Sequence, residues 1–141
     1  MRFMIIRKAD RSTEAGAMPT EQLVAEMMRY NAEMVNAGVM FDGHGLHPSS
    51  RGVRVKFSGG KPTVTDGPFS ETKELIAGFT MIKVNSKEEA IEWVKRWPAI
   101  DGDGAVELEL RQVIEAEDFG PEFAPALREH EAMLREKATK R

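Results

Sequence analysis

Asp42, His44 and Asp66 are the residues of this chain whose types and spacing best fit acid–base chemistry. Asp42 and His44 are two positions apart in a strand-like stretch, so their side chains share one face. Asp66 stands at a sharp corner, before Gly67-Pro68. An imidazole can exchange protons while a neighbouring carboxylate holds it in one tautomer. We therefore predict Asp66 and His44 as catalytic candidates, and Asp42 as a ligand-binding candidate.

A structural role for Asp66 is the alternative. An aspartate before Gly-Pro can accept hydrogen bonds from nearby backbone N–H groups and merely shape the turn. Gly67 supplies torsions that other residues avoid, and Pro68 fixes its own φ. Both interpretations of Asp66 remain open from the sequence.

Three further ligand-binding candidates come from other segments. In the stretch from 105 to 113, apolar residues alternate with Glu107, Glu109 and Arg111. If the Leu110 side meets the helices, Glu109 and Arg111 project toward the same space as Asp42, with Arg111 as an anion anchor. Tyr30 lies near a helical apolar stripe and would present its hydroxyl to a cavity. The alternatives are a salt-bridge network that closes a dimer, and a half-buried core tyrosine.

A metal site is not expected. His44 and His47 are an odd number of residues apart, so a regular strand sends them to opposite faces. The chain has no cysteine, which excludes thiolate ligands and disulfides. The sequence points to no cofactor.

The elements that must position these residues follow from periodicity. Helical patterns begin near Thr20 and at Ser86, and the order is βαβ, hairpin, βαβ. The alternation in the hairpin, from Arg51 to Thr65, predicts half-buried strands. We predict an α+β, ferredoxin-like split βαβ fold with an inserted hairpin, an antiparallel sheet with helices on one face, and an extra C-terminal helix.

The stretch from Leu75 to Val84 has few polar residues, so it predicts a central strand covered on both faces. With both helices on one side, the other sheet face lacks cover. A second identical sheet is the economical way to bury it, which predicts a homodimer.

Composition narrows the function classes. The 141 residues carry a net charge of −3 with both signs interleaved, so direct nucleic-acid binding is not expected. No apolar run approaches the length of a membrane span, and the start of the chain does not resemble a signal peptide. A bacterial cytoplasmic protein without a membrane partner is the expectation.

Three ordered blocks carry a family resemblance: Thr63 to Phe79, which contains Asp66-Gly67-Pro68-Phe69, with Gly45 to Ser50 upstream and Glu115 to Gly120 downstream. The chain resembles the DGPF-motif branch of the YCII-related family over about residues 1 to 120, with 121 to 141 as a helical extension of the same domain. The resemblance implies a ferredoxin-like subunit that dimerises as an α+β barrel, in bacterial proteins often encoded near extracytoplasmic-function sigma factors. It brings no established reaction. The family position of His44 is often acidic, so this histidine is not inherited as catalytic.

Two function classes follow. One is a small-molecule enzyme or ligand-binding protein that uses a cavity between paired sheets. The other is a non-catalytic dimeric interaction module, accessory to a sigma-factor pathway.

Overall fold

The computed structural model describes residues 1–139. Its strands are β1 (Arg2–Lys8), β2 (Met40–Gly45), β3 (Val53–Ser58), β4 (Lys61–Asp66), β5 (Ile76–Lys83) and β6 (Leu108–Gln112). Its helices are α1 (Arg11–Glu14), α2 (Glu21–Asn36), α3 (Lys87–Lys95) and α4 (Ala124–Thr139). The helix predicted at the C-terminus is α4, and the last two predicted positions lie outside the described residues.

The predicted α+β architecture is confirmed. Four strands form an antiparallel sheet in the order β2-β5-β1-β6, and β3 pairs with β4 in a separate two-stranded sheet. The strand β5 is central, as its apolar sequence predicts. No helix in residues 1–139 is long and apolar enough to span a membrane.

The core lies on one face of the four-stranded sheet. Phe3 and Ile5 of β1 and Ile82 of β5 pack against Met34 of α2 and Ala90 of α3. Alternation along each strand dictates this arrangement, because every second side chain of a strand points to the same face. Within residues 1–139, the apolar side chains on the other face of β1 and β5 lie outside this cluster and are only partly buried.

The helices α2 and α3 begin where the sequence predicts. The Thr20 hydroxyl accepts a hydrogen bond from the N–H of Leu23 at the start of α2. The Ser86 hydroxyl accepts one from the N–H of Glu89 at the start of α3. Each bond satisfies a backbone donor that the first helical turn leaves without a partner.

In β2, the structure places Met40 on a different face from the predicted one. Simple alternation places Met40 on the side of Asp42 and His44, but the register shifts between Met40 and Asp42. Met40 packs against the core instead, and its terminal methyl group lies where a Cβ on Gly43 would come within 2.8 Å of it. The absence of a side chain at position 43 makes this bulge possible.

The hairpin of β3 and β4 is more exposed than its sequence predicts. Every residue of both strands is exposed, including Val55 at 51% and Phe57 at 67%, so the predicted half-burial is wrong for the single chain. The hairpin forms its own sheet and shares no ladder with the other four strands. Alternation correctly indicates an apolar face, but the chain itself does not cover it.

A buried ion pair joins β1 to the segment that follows α3. The Arg7 guanidinium, on the core face of β1, donates to both carboxylate oxygens of Asp101 at 2.7 and 3.2 Å. The indole N–H of Trp97 donates to the same carboxylate at 2.9 Å, and Asp10 contacts Arg7 from the start of α1. Arg7 and Asp101 are only 9% and 6% exposed. Removal of either residue would leave the charge of the other buried without its main partner, which lowers the stability of the fold.

Candidate functional site

Four of the predicted site residues lie on the uncovered face of the sheet. Met81 and Phe79 of β5 lie opposite Asp42 and His44 of β2. Met4 and Ile6 of β1 lie opposite Arg111 and Glu109 of β6. Residues that are directly opposite in a ladder share a face. This surface, here called the open face, therefore consists of these eight side chains: Met4, Ile6, Asp42, His44, Phe79, Met81, Glu109 and Arg111.

The four polar residues of the open face form two separate pairs. The strands β2 and β6 are opposite edges of the sheet, about 14 Å apart at ordinary strand spacing. His44 Nε2 lies 3.0 Å from Asp42 Oδ1, and Arg111 Nη1 lies 3.1 Å from Glu109 Oε2. Within one chain, Asp42 and His44 therefore do not meet Glu109 and Arg111.

The His44–Asp42 pair has the geometry of an oriented imidazole. Asp42 Oδ1 also accepts the N–H of Gly43 at 2.9 Å, which holds the carboxylate in place. The His44 ring packs edge-on against Phe79, with ring centroids 5.7 Å apart. When the ring is neutral, a hydrogen bond to Asp42 keeps the proton on Nε2 and leaves Nδ1 as a proton acceptor. This arrangement can serve general acid–base chemistry.

Asp66 lies elsewhere in the chain. It is the last residue of β4, is exposed, and pairs with Val53 of β3 in the hairpin ladder. The carboxylate that contacts the His44 ring is therefore that of Asp42, and not that of Asp66.

The corner after Asp66 is organised by Ser49, a residue that the sequence analysis did not single out. The Ser49 N–H and hydroxyl both donate to the Glu14 carboxylate, and the same hydroxyl accepts the N–H of Phe69 at 3.0 Å. The carbonyl oxygen of Ser49 lies against Gly67 so closely that a Cβ there would be only 1.8 Å away. Glu14 and Ser49 are 35 residues apart, and no periodic pattern connects them.

The residues after the corner fold back on the hairpin. The Arg54 guanidinium lies 3.9 Å from the centre of the Phe69 ring and 3.4 Å from the Glu71 carboxylate. A guanidinium over an aromatic face is attracted by the ring quadrupole. The Gly67-Pro68-Phe69 segment thus fixes the base of the hairpin through backbone packing and one stacked cation.

Tyr30 is in the helix layer, on the opposite side of the sheet from His44. Its side chain is buried among core residues, its hydroxyl donates to the carbonyl of Trp93 at 2.7 Å, and its ring packs edge-on against Trp97. Burial raises the pKa of Tyr30 to about 12, so the hydroxyl stays protonated. The structure does not bring Tyr30 together with the residues of the open face.

The open face is not enclosed in the single chain. A groove of about 500 Å³ opens beside the corner, lined by Leu46, Ser49 and Ile76 among others. In residues 1–139, no group of three or more His, Asp or Glu side chains is arranged to hold a metal ion. An enclosed site over His44 and Asp42 therefore needs a second surface.

Replacement of Gly67 by Ala is expected to lower the free energy of unfolding by about 1–3 kcal/mol, because the added methyl group overlaps a backbone oxygen that cannot rotate away. Urea unfolding measures the change. Gly45 is the control, because a Cβ there meets no atom within 4 Å, so its replacement by Ala is expected to cost much less. Equal costs for the two variants would contradict the packing of Gly67 on Ser49.

Comparison with known proteins gives three findings. The model of the YCII-related domain matches residues 1–116. An uncharacterised protein of Rhizobium meliloti (strain 1021) is 31% identical over 75 residues, which are 53% of this chain and 60% of that protein. The chain thus matches less than two thirds of the length of this curated relative.

A solved structure is similar at a greater distance. It is 5-chloro-2-hydroxyhydroquinone dehydrochlorinase from Burkholderia phenoliruptrix AC1100, in complex with 2,5-dihydroxybenzoquinone. It aligns with 82% of this chain and 95% of its own, at 14% identity and a TM-score of 0.43. At that distance the likeness carries no conclusion about activity. The family match, by contrast, extends over most of the chain, and this protein belongs to the YCII-related domain family.

Proposed function

We propose that the protein is a homodimer that binds a small organic molecule between two open faces, and that His44 with Asp42 provides acid–base chemistry there. The observation that carries the proposal is the composition of the open face. Four apolar side chains, Met4, Ile6, Phe79 and Met81, form its centre, and a hydrogen-bonded His–Asp pair stands at one edge.

The apolar centre supports the pairing of two chains. All four of these side chains are only partly buried in the single chain, although they lie on the two central strands of the sheet. A two-fold axis would bring the same surface of two copies together. Burial of these side chains would then supply the hydrophobic contribution that one chain leaves unused.

The chemistry of the cavity follows from its edges. Two-fold symmetry presents each polar pair twice, so the cavity would have an apolar centre and ionisable groups at its rim. Arg111 would anchor an anionic group of the ligand, while His44 accepts or returns a proton. A small organic acid with an apolar body fits this combination.

Asp66 is the second acid–base residue of the proposal. It is part of the Asp66-Gly67-Pro68-Phe69 sequence, which also leads us to propose that the chain is of the DGPF branch. Because Asp66 is exposed at the end of the hairpin, its carboxylate is free to take part once a second chain is present. Tyr30 is excluded from this proposal because of its place in the helix layer.

A thermal-shift screen with a library of small organic acids tests the function. A ligand that binds the folded dimer raises the melting temperature by mass action. At a free ligand concentration of about 100 times the Kd, binding adds about 2.7 kcal/mol to the free energy of unfolding. For any compound that is also turned over, His44→Gln is expected to lower kcat about 10²- to 10⁴-fold, which is the usual contribution of a general acid or base.

The matched control is His130→Gln, because His130 is an exposed histidine of α4 and is not one of the eight residues of the open face. It is expected to keep full binding and turnover. Binding without turnover would make the protein a ligand-binding protein and not an enzyme. If no acid in the library stabilises the wild type, or if His44→Gln behaves like the control, the proposed site is wrong and an interaction module becomes the better account.

A further inference from the structure

The hairpin of β3 and β4 has two faces of opposite character. Residues that lie directly opposite in its ladder share a face, and they are Val53 with Asp66, Val55 with Val64, and Phe57 with Pro62. The other face is made entirely of polar residues: Arg54, Lys56, Ser58, Lys61, Thr63 and Thr65. Asp66 is thus the one charged residue on the apolar face.

Within residues 1–139, nothing buries the apolar face of the hairpin. Val53, Val55, Phe57 and Val64 are each more than half exposed, at 51–67%. A free two-stranded hairpin gains little stability by itself, and an apolar face on such a hairpin marks a surface that another molecule buries. The sequence alternation of the hairpin is typical of half-buried strands, so the missing half of that burial is left for another molecule.

Interface size favours a second copy as the molecule that covers it. An open face four strands wide and about five residues long covers roughly 300 Å² per copy. Stable interfaces bury about 800 Å² per partner. The open face alone is therefore small for a stable dimer, and the apolar face of the hairpin would add roughly 200 Å² more on each copy.

We propose that the hairpin is an arm that packs its apolar face on the second copy and carries Asp66 to the open face of that copy. The two-fold axis would then bring two hairpin corners to the shared cavity, one from each copy. In this arrangement the carboxylate of Asp66 serves the partner's open face, which explains why it has no role at the His44 ring of its own chain. The inference rests on the homodimer of the proposed function.

Site-directed cross-linking tests the placement of Asp66, because the chain has no natural cysteine. Asp66→Cys in one tagged copy is combined with His44→Cys or Arg111→Cys in a differently tagged copy, and a short bis-maleimide is added. These two positions mark the opposite edges of the open face. The expected result is a cross-link between copies from at least one edge, several-fold stronger than with Arg29→Cys, an exposed position of α2 in the helix layer.

The apolar contact is tested separately by two variants on opposite faces of the hairpin. Phe57→Asp is expected to raise the dimer Kd at least tenfold, whereas Thr63→Asp, on the polar face, leaves it within about twofold. Both positions are exposed in the single chain, so both variants should fold.

The outcomes separate the two proposals. A wild type that is monomeric overturns the proposed function and this inference together. A stable dimer in which Asp66→Cys cross-links no better than Arg29→Cys, or in which Phe57→Asp and Thr63→Asp have the same Kd, overturns the arm and with it the acid–base role of Asp66. It leaves the ligand site of His44 and Asp42 between two open faces intact.

Discussion

Replacement of Met81 by Glu is expected to convert the proposed dimer into a folded monomer. Met81 lies on the central strand β5, opposite Met4 on one side and Asp42 on the other. A carboxylate there would be buried without a cation, and burial of an unpaired charge costs several kcal/mol. Two-fold symmetry imposes that cost twice. With a total of about 4 kcal/mol or more, the dimer Kd should rise about 10³-fold or further.

Size-exclusion chromatography with light scattering measures this change, and far-UV circular dichroism confirms that the variant is folded. The control is Val35→Glu, because Val35 is an apolar residue of α2 that is already 56% exposed. This variant is expected to remain a dimer. If Met81→Glu also stays a dimer at low micromolar concentration, the open face is not the interface.

Replacement of Asp101 by Ala is expected to lower the free energy of unfolding by about 3–5 kcal/mol. The substitution leaves the Arg7 guanidinium buried with only Asp10 as a carboxylate partner, and it also removes the acceptor of the Trp97 N–H. The control is Glu33→Ala, which breaks the exposed ion pair with Arg96 and should cost no more than about 1 kcal/mol. Urea unfolding measures both values. Similar costs would contradict the buried character of the pair.

The same pair predicts a dependence of stability on pH. Burial alone would raise the pKa of Asp101, but the hydrogen bonds from Arg7 and Trp97 and the guanidinium charge outweigh it and lower the pKa. The unfolded chain therefore binds the proton more tightly than the folded one. The contribution of Asp101 is present above its ordinary pKa and is lost as the pH falls through its lower folded value. In Asp101→Asn, urea unfolding in acid should show a shallower loss of stability than in the wild type.

Local pattern predicted most of the fold because helices and strands are local structures. Alternation in β2 and β6 correctly placed Asp42, His44, Glu109 and Arg111 on one face of the sheet. It could not predict that the two strands are opposite edges, because strand order is set by packing between distant segments. The bulge at Met40 depends on space above Gly43, which is likewise a property of the packed sheet.

Contacts between residues far apart in the sequence could not be predicted from local patterns. Arg7 and Asp101 are 94 residues apart, and neither residue has a local pattern that marks it as buried. Glu14 and Ser49 meet only because α1 and the segment between β2 and β3 converge. The hairpin illustrates the opposite error, since its alternation correctly predicts an apolar face, but no property of the sequence says which molecule covers it.

Sedimentation velocity of the wild type at low micromolar concentration tests the central claim, that two open faces pair. The chain has a mass of 15.8 kDa, and we expect one species of twice that mass. The species should persist on dilution to the low end of the micromolar range, as expected for a symmetric interface that includes the open face and the hairpin. A folded species of 15.8 kDa as the only component would contradict the account.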